Sequence, residues 1–393
     1  MSAFHDLYGF DRAEVGLHNW RLHPFSRFAF EHTREIVPTA HIDCGLERPE
    51  SAPAGDGPLA GCTVTIGDAE LGWKQFLEQS HCDVFVALKR GEIVAEWTAG
   101  HADAGRAHIL FSISKSVTGI LAGILNDRGL LDMEAPVSDY MPEANGSAFG
   151  TASIQQLADM RTCLSFDESY LNADGDYARY RRATGWNPAE PGRPSETMVE
   201  MLLSIRQGAG AHGGPFHYAS PNTDLMGVVL ERATGKDYCG LLSDLLWRPL
   251  GAHSHACMTV DAVGAPRGAG GMCATARDLA RLAEAVRCGG EGANGRIMPA
   301  AWVDDMLHGG DQKAWQNGNF AAFLPNGRYR NCWYQTGYGS GAFCAIGIHG
   351  QWAYVDPTAE TVLVRLSSQP IPLDDDLDQK NLSFFQQVCA RLG

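Results

Sequence analysis

Strand-forming sequence occurs near both ends of this chain and is scarce between them, and this distribution constrains the fold more than any other feature. Asp83-Val-Phe-Val-Ala-Leu-Lys-Arg, a turn at Gly91 and Glu92-Ile-Val-Ala-Glu-Trp read as two strands around a tight turn. The pattern returns at Phe343–Ile348, Trp352–Val355 and Thr361–Leu366, with Asp356-Pro357 as a turn. Strands this far apart complete one layer only by pairing across the chain. The expected class is therefore α+β: an antiparallel sheet flanked by helices, with a mainly helical domain inserted.

The intervening sequence supports that division. A helix is expected from Ser112 to Arg128, with Gly129 as its C-terminal cap. Ser153-Ile-Gln-Gln156 and Thr275-Ala-Arg-Asp278 look like helix starts of the capping-box kind. Thr223–Ala233 and Tyr238–Trp247 carry helical apolar spacing, and Phe384–Leu392 reads as a closing helix. Asn172–Pro194, rich in Arg, Gly and Pro, reads as a long surface loop or lid. Residues 1–60 show no sustained periodicity and end in a Pro/Gly/Ala loop from Ser51 to Gly61. The expected organisation is an irregular arm (1–60), a sheet domain (61–130 with 291–393) and an inserted helical domain (131–290).

Composition narrows the function. The net charge of −15 argues against a nucleic-acid partner. The most apolar run, Val117–Leu125, is too short to span a bilayer, and the charged N-terminus does not resemble a secretory signal. Eleven cysteines, an odd number without a Cys-x-x-Cys pair, read as reduced buried thiols and place the chain in the cytoplasm.

Chemistry concentrates at Phe111-Ser112-Ile113-Ser114-Lys115. Ser-x-x-Lys at a helix start puts a hydroxyl and an amine on one face, a single turn apart, beside free N–H groups. A serine hydroxyl needs an adjacent base to act as a nucleophile, and a desolvated lysine can serve. Alone the pattern is common, and an N-cap serine with a solvated lysine is the bland reading. A second element is His217-Tyr218-Ala219-Ser220, where a tyrosine before a helix can relay a proton. Tyr170-Leu171-Asn172 is a competing match that spacing alone does not exclude; Tyr218 is preferred for its Gly-rich approach from Gly208 to Gly214. A third is Gly347-Ile348-His349-Gly350 at a strand end, where backbone N–H groups can face a reacting carbonyl oxygen. Gln335-Thr336-Gly337 competes with it, and His349 alone reads as a structural histidine.

These three elements, in this order and with strands at both ends, resemble the penicillin-recognising serine hydrolases: class C β-lactamases, DD-peptidases and related esterases. Tyr218-to-Asp224, Thr275-to-Arg281 and Ile346-to-Gln351 are very similar to the 6-aminohexanoate-dimer hydrolases, as are Asp159-Met160, Tyr170 and Gly185-Trp186. The resemblance implies that Ser112 is acylated, that Lys115 and Tyr218 move protons, and that the N–H groups of Ser112 and Ile348 form an oxyanion hole. It places Tyr170 and Trp186 in a substrate-closing loop and makes His349 a substrate-side group. Where those enzymes hold a substrate ammonium with a loop aspartate, this chain has Arg181, which should disfavour ammonium-bearing substrates; Ala269 replaces their asparagine.

The leading expectation is a cofactor-free, metal-free hydrolase of small esters or amides, with carboxylic esters foremost, without nucleic-acid or membrane partners and compatible with a homodimer. Its rivals are a β-lactamase or DD-peptidase, weakened by the lack of Lys-Thr-Gly, and a catalytically silent ligand binder of the same fold. Gly208-Ala-Gly210-Ala-His-Gly213 follows a helical pattern rather than a strand, and His253-Ser-His255 lacks a ligand cluster, so neither carries a cofactor reading.

Overall fold

The structure, a computed structural model, describes residues 2–50, 54–192 and 194–393. Residues 51–53 of the expected Pro/Gly/Ala loop and Arg193 of the expected lid lie outside the described residues.

The strands of the two principal sheets are, in chain order, β1 (Thr39–Ile42), β2 (Cys82–Lys89), β3 (Glu92–Thr98), β4 (His108–Ile109), β5 (Ala256–Thr259), β6 (Met272–Ala274), β7 (Arg328–Arg330), β8 (Trp333–Gln335), β9 (Phe343–Gly347), β10 (Gln351–Asp356) and β11 (Thr361–Ser367). The larger sheet is antiparallel, in the order β7-β8-β9-β10-β11-β2-β3. Its two halves meet where β11 pairs with β2, with Val364 opposite Val86. The side chains of β11 and nearly all of those of β2 are buried on both alternating faces, so both faces of the sheet are covered.

Five helices position the site or cover the sheet: α1 (Ile113–Asp127), α2 (Asp176–Ala183), α3 (Pro221–Thr234), α4 (Ala276–Arg287) and α5 (Asp375–Leu392). From Ile113 to Leu125, α1 is buried on every side, as expected of a helix apolar all round. Thr275 caps α4 by accepting from the Asp278 N–H. The closing helix α5 begins nine residues earlier than its apolar spacing shows, because its first turns are acidic and Asp374 caps it through the Leu377 N–H. Its Phe384 and Phe385 pack on Phe85, Trp352 and Tyr354 of the sheet.

Three features differ from the sequence expectation. The N-terminal arm carries β1, which pairs in register with β5 (Ala40 opposite Met258) in a four-stranded sheet ordered β1-β5-β6-β4. Four residues give too short an alternation to register as a strand. The expected lid carries α2, whose Tyr177, Tyr180 and Ala183 are buried while its Arg residues mask the apolar stripe. Helix α4, placed by sequence inside the insertion, packs against β2, β10 and β11. The chain thus returns to the large sheet near residue 275 rather than 291.

Candidate active site

Ser112 stands at the N-cap of α1, but its side chain makes no cap hydrogen bond and is free for other partners. The residue before it, Phe111, has φ of 45°, an uncommon conformation for a bulky residue. Its ring is locked by Trp20, Phe30 and Trp186. That packing holds the turn presenting Ser112.

Two donors converge on Ser112 Oγ: Lys115 Nζ at 2.9 Å and the Tyr218 hydroxyl at 2.7 Å. Lys115 is buried and also donates to the Ala269 carbonyl at 2.7 Å. Burial lowers the Lys115 pKa to about 8; Glu168 opposes the shift and Arg267 adds to it. Burial, reinforced by Glu168, raises the Tyr218 pKa well above its ordinary value. The two groups therefore differ in kind: near neutral pH the lysine can surrender its proton and the tyrosine keeps its own.

Their surroundings include residues that sequence reasoning missed, Glu168, Asn319 and Phe320. Tyr218 donates its backbone N–H to Asn319 Oδ1 (3.1 Å), and its ring stacks on Phe320 at 5.0 Å. Glu168 accepts from the Tyr170 hydroxyl (2.9 Å) and from the Ser220 hydroxyl and N–H (2.6 and 2.5 Å), tying the Tyr170 loop to the start of α3. The Ala269 N–H donates to Asp224 at 2.6 Å, and Asp224 is paired with the buried Arg267 and Tyr180. The lysine anchor at 269 is thus backbone, which makes the alanine side chain immaterial to it.

Gly347 ends β9 against Ser112: a Cβ there would sit 2.5 Å from the Leu110 carbonyl and 3.1 Å from Ser112 N. Only glycine admits this approach. Among the described residues, neither the Ser112 nor the Ile348 N–H donates to another group of the fold. Ser112, Gly347 and Ile348 line one cleft of about 600 Å³ with Tyr170, Tyr218 and Phe320.

Other expected site residues lie elsewhere. Trp186 is 1% exposed; its indole donates to Thr259 Oγ1 at 3.0 Å and it packs behind Phe111. His349 is 4% exposed, donates from Nδ1 to the Gln369 carbonyl at 2.8 Å and packs on Phe30 and Phe111; burial lowers its pKa to about 4. Arg181 lies on α2 over the Tyr177 ring, 5.0 Å from its centroid. None of the three lines the cleft. The competing Thr336 turns back to the Ala342 carbonyl (2.6 Å), also off the cleft.

The cleft brings no metal-ligand grouping together among the described residues. Away from it, His41, Asp43 and His255 approach one another within 4.8 Å, with Asp43 already paired to Arg248. All eleven cysteines are unpaired, and no helix among the described residues is long and apolar enough to cross a membrane.

Comparison with known proteins places this geometry among relatives. The family described as Beta-lactamase matches residues 74–385. The chain is 36% identical over 361 residues to the 6-aminohexanoate-dimer hydrolase of Paenarthrobacter ureafaciens, covering 91% of this chain and 89% of that one. A Bacillus anthracis structure provisionally described as a 6-aminohexanoate-dimer hydrolase superposes with a TM-score of 0.87 at 22% identity, over 97% of this chain and 98% of that one. A family VIII carboxylesterase aligns with a TM-score of 0.60 at 18% identity, over 88% of this chain and 99% of that one. At these identities the two solved structures speak to the fold.

Proposed function

This chain belongs to the beta-lactamase family and is a serine hydrolase, and on that premise we propose that it cleaves small carboxylic esters through an acyl-enzyme on Ser112. The observation that carries the reading is the convergence of Lys115 Nζ and the Tyr218 hydroxyl on one serine oxygen, at 2.9 and 2.7 Å.

The division of labour follows from their pKa directions. Neutral Lys115 takes the Ser112 proton as Oγ attacks the substrate carbonyl. The carbonyl oxygen gains charge and turns toward the N–H groups of Ser112 and Ile348. Tyr218, still protonated, gives its proton to the departing alkoxide and is refilled from Lys115. Water then enters and the same groups, run in reverse, release the acid. Tyr170, at the cleft wall and held by Glu168, bounds the substrate.

Among the described lining residues the cleft carries no lysine or arginine to hold the carboxylate of a β-lactam, and the His349 ring lies behind the strand. Ester turnover is therefore preferred over β-lactam turnover. The eleven unpaired cysteines favour a reducing, cytoplasmic setting. The test is mass spectrometry after a fluorophosphonate, with p-nitrophenyl butyrate and nitrocefin assayed in parallel. A stable adduct on Ser112 with ester turnover is the expected result. An adduct elsewhere, or no turnover of either substrate, overturns the reading.

A further inference from the structure

In the sequence His255 stands without ligand partners, and the fold supplies them from the N-terminal arm. Strand β1 pairs with β5 in a register that sets His41 opposite Cys257 and Ile42 opposite Ala256. Asp43 therefore follows at the level of His255, and His41, two residues earlier on the same face, lies diagonal to it. The two imidazole rings are 4.5 Å apart between centroids. One ligand atom from each of His41, Asp43 and His255 lies within 4.8 Å of the other two. Asp43 Oδ1 and His255 Nδ1 are 3.2 Å apart, near the roughly 3.4 Å that separates two donors on one tetrahedral zinc ion. His41 is exposed and its ring makes no hydrogen bond among the described residues, so it is free to turn toward them.

We propose that His41, Asp43 and His255 form a structural site for a divalent transition-metal ion of the Zn²⁺ class, which fastens the N-terminal arm to the body of the fold. Two imidazoles and one carboxylate suit such an ion and leave a position for water or for Glu47, whose Oε2 is 3.9 Å from His255 Nε2. Mg²⁺ and Ca²⁺ favour oxygen ligands throughout. The donors are in the state a metal needs. The Cys44 N–H donates to His255 Nδ1 at 3.2 Å, so that nitrogen carries a lone pair beside Asp43. The ion takes over this lone pair from a long hydrogen bond. The carboxylate is oriented from outside the site. Its Oδ2 pairs with Arg248, which is shared with Asp244, and its Oδ1 accepts the Gly45 N–H at 2.9 Å. None of the three ligands lines the Ser112 cleft, so the ion takes no part in hydrolysis. Its effect falls on β1, an edge strand of four residues on the arm whose Trp20 and Phe30 lock Phe111. An ion held only by the paired strands stabilises that pairing by mass action.

The experiment titrates the full-length, metal-free protein at about pH 7.5, where imidazole is mostly neutral. Zn²⁺ and Mg²⁺ are followed by calorimetry, and Co²⁺ by absorption, which reports its ligands. The expected result is one saturable Zn²⁺ site per chain, far weaker binding of Mg²⁺, and a Co²⁺ spectrum without the charge-transfer band of a cysteine thiolate. His41→Ala and His255→Ala should each weaken Zn²⁺ binding by at least about tenfold, the lower end for losing even a group that orients a ligand. His41 is exposed, so its alanine variant should fold as the parent does. Hydrogen–deuterium exchange locates the site: Zn²⁺ should slow exchange of the amides of residues 39–43 in the parent and not in His41→Ala. No saturable Zn²⁺ binding in the parent, equal affinity for Mg²⁺, or a thiolate-dominated Co²⁺ spectrum overturns the proposal. So does binding that both variants leave unchanged, or exchange at residues 39–43 that Zn²⁺ does not slow.

Discussion

Lys115 Nζ lies 2.9 Å from Ser112 Oγ, one helical turn away, in a setting that pulls the ammonium down to about 8. The neutral amine required to accept the serine proton is then a minor species at pH 7 and the major one above pH 8. The expected kcat/KM for a neutral ester rises with pH through about 8 and levels above it. Glu168 raises the Lys115 pKa, so Glu168→Gln should move that rise to lower pH, by roughly half a unit to one unit for a single neighbouring charge. A profile that is flat between pH 6 and 9, or one that moves to higher pH in the variant, would remove Lys115 from the role of base.

Ser112→Ala should lower ester hydrolysis by at least about 1,000-fold, because Ser112 Oγ is the oxygen on which Lys115 Nζ and the Tyr218 hydroxyl converge. The fold should tolerate it. The side chain makes no cap hydrogen bond, and Lys115 keeps its bond to the Ala269 carbonyl. Unfolding free energy should change by no more than about 1 kcal/mol. Urea melts and esterase assays on the same preparation check both statements; activity within a few-fold of the parent would dismiss the nucleophile assignment.

Tyr218 and Tyr170 both line the cleft, but their hydroxyls point to different partners, Ser112 Oγ and Glu168. Tyr218→Phe removes a proton donor and should cost about 10²–10⁴ in kcat. Tyr170→Phe removes a positioning contact and should act mainly on KM, within about tenfold. Steady-state kinetics of the two variants rank them, and the reverse order would make Tyr170 the proton relay.

The legibility of this chain follows the range of its interactions. Ser112 and Lys115 are readable because their approach is local helix geometry, and β2, β9, β10 and β11 because each is an apolar run ended by a turn. Gly347 and Ile348 are readable as a strand end, though the glycine's purpose appears only when the Leu110 carbonyl is seen against it. Asn319, Phe320 and Glu168 reach the site from irregular segments, and nothing periodic in the sequence marks them. The roles suggested for Trp186 and His349 fail on depth: a loop aromatic and a strand-end histidine look the same in sequence whether they face the cleft or the aromatic cluster behind it.

Arg181 gives a prediction opposite to the one its position in the sequence invites. It packs over Tyr177 and does not line the cleft, so Arg181→Asp should shift the preference between p-nitrophenyl 6-aminohexanoate and p-nitrophenyl heptanoate by less than about twofold, the scale of a screened charge. A tenfold gain on the cationic ester would return Arg181 to the substrate site.

The buried His349 makes stability depend on pH with a definite sign. Its folded pKa is about 4, below the ordinary imidazole value of 6.5, because burial disfavours the cation. Between those values the unfolded chain binds the proton and the folded chain does not. The contribution is therefore fully present above about pH 6.5 and is lost as the pH falls toward 4. A shift of this size corresponds to about 3 kcal/mol. The residue sits at φ of 61°, a conformation asparagine accepts more readily than most, so His349→Asn keeps the turn while removing the titrating group. Urea melts at pH 7 and pH 4.5 should show the parent losing more stability on acidification than the variant, by about 2–3 kcal/mol. Equal losses in the two proteins would mean that the imidazole is protonated within the fold, and His349 would again be available as a cation near the Gly347–Ile348 strand end.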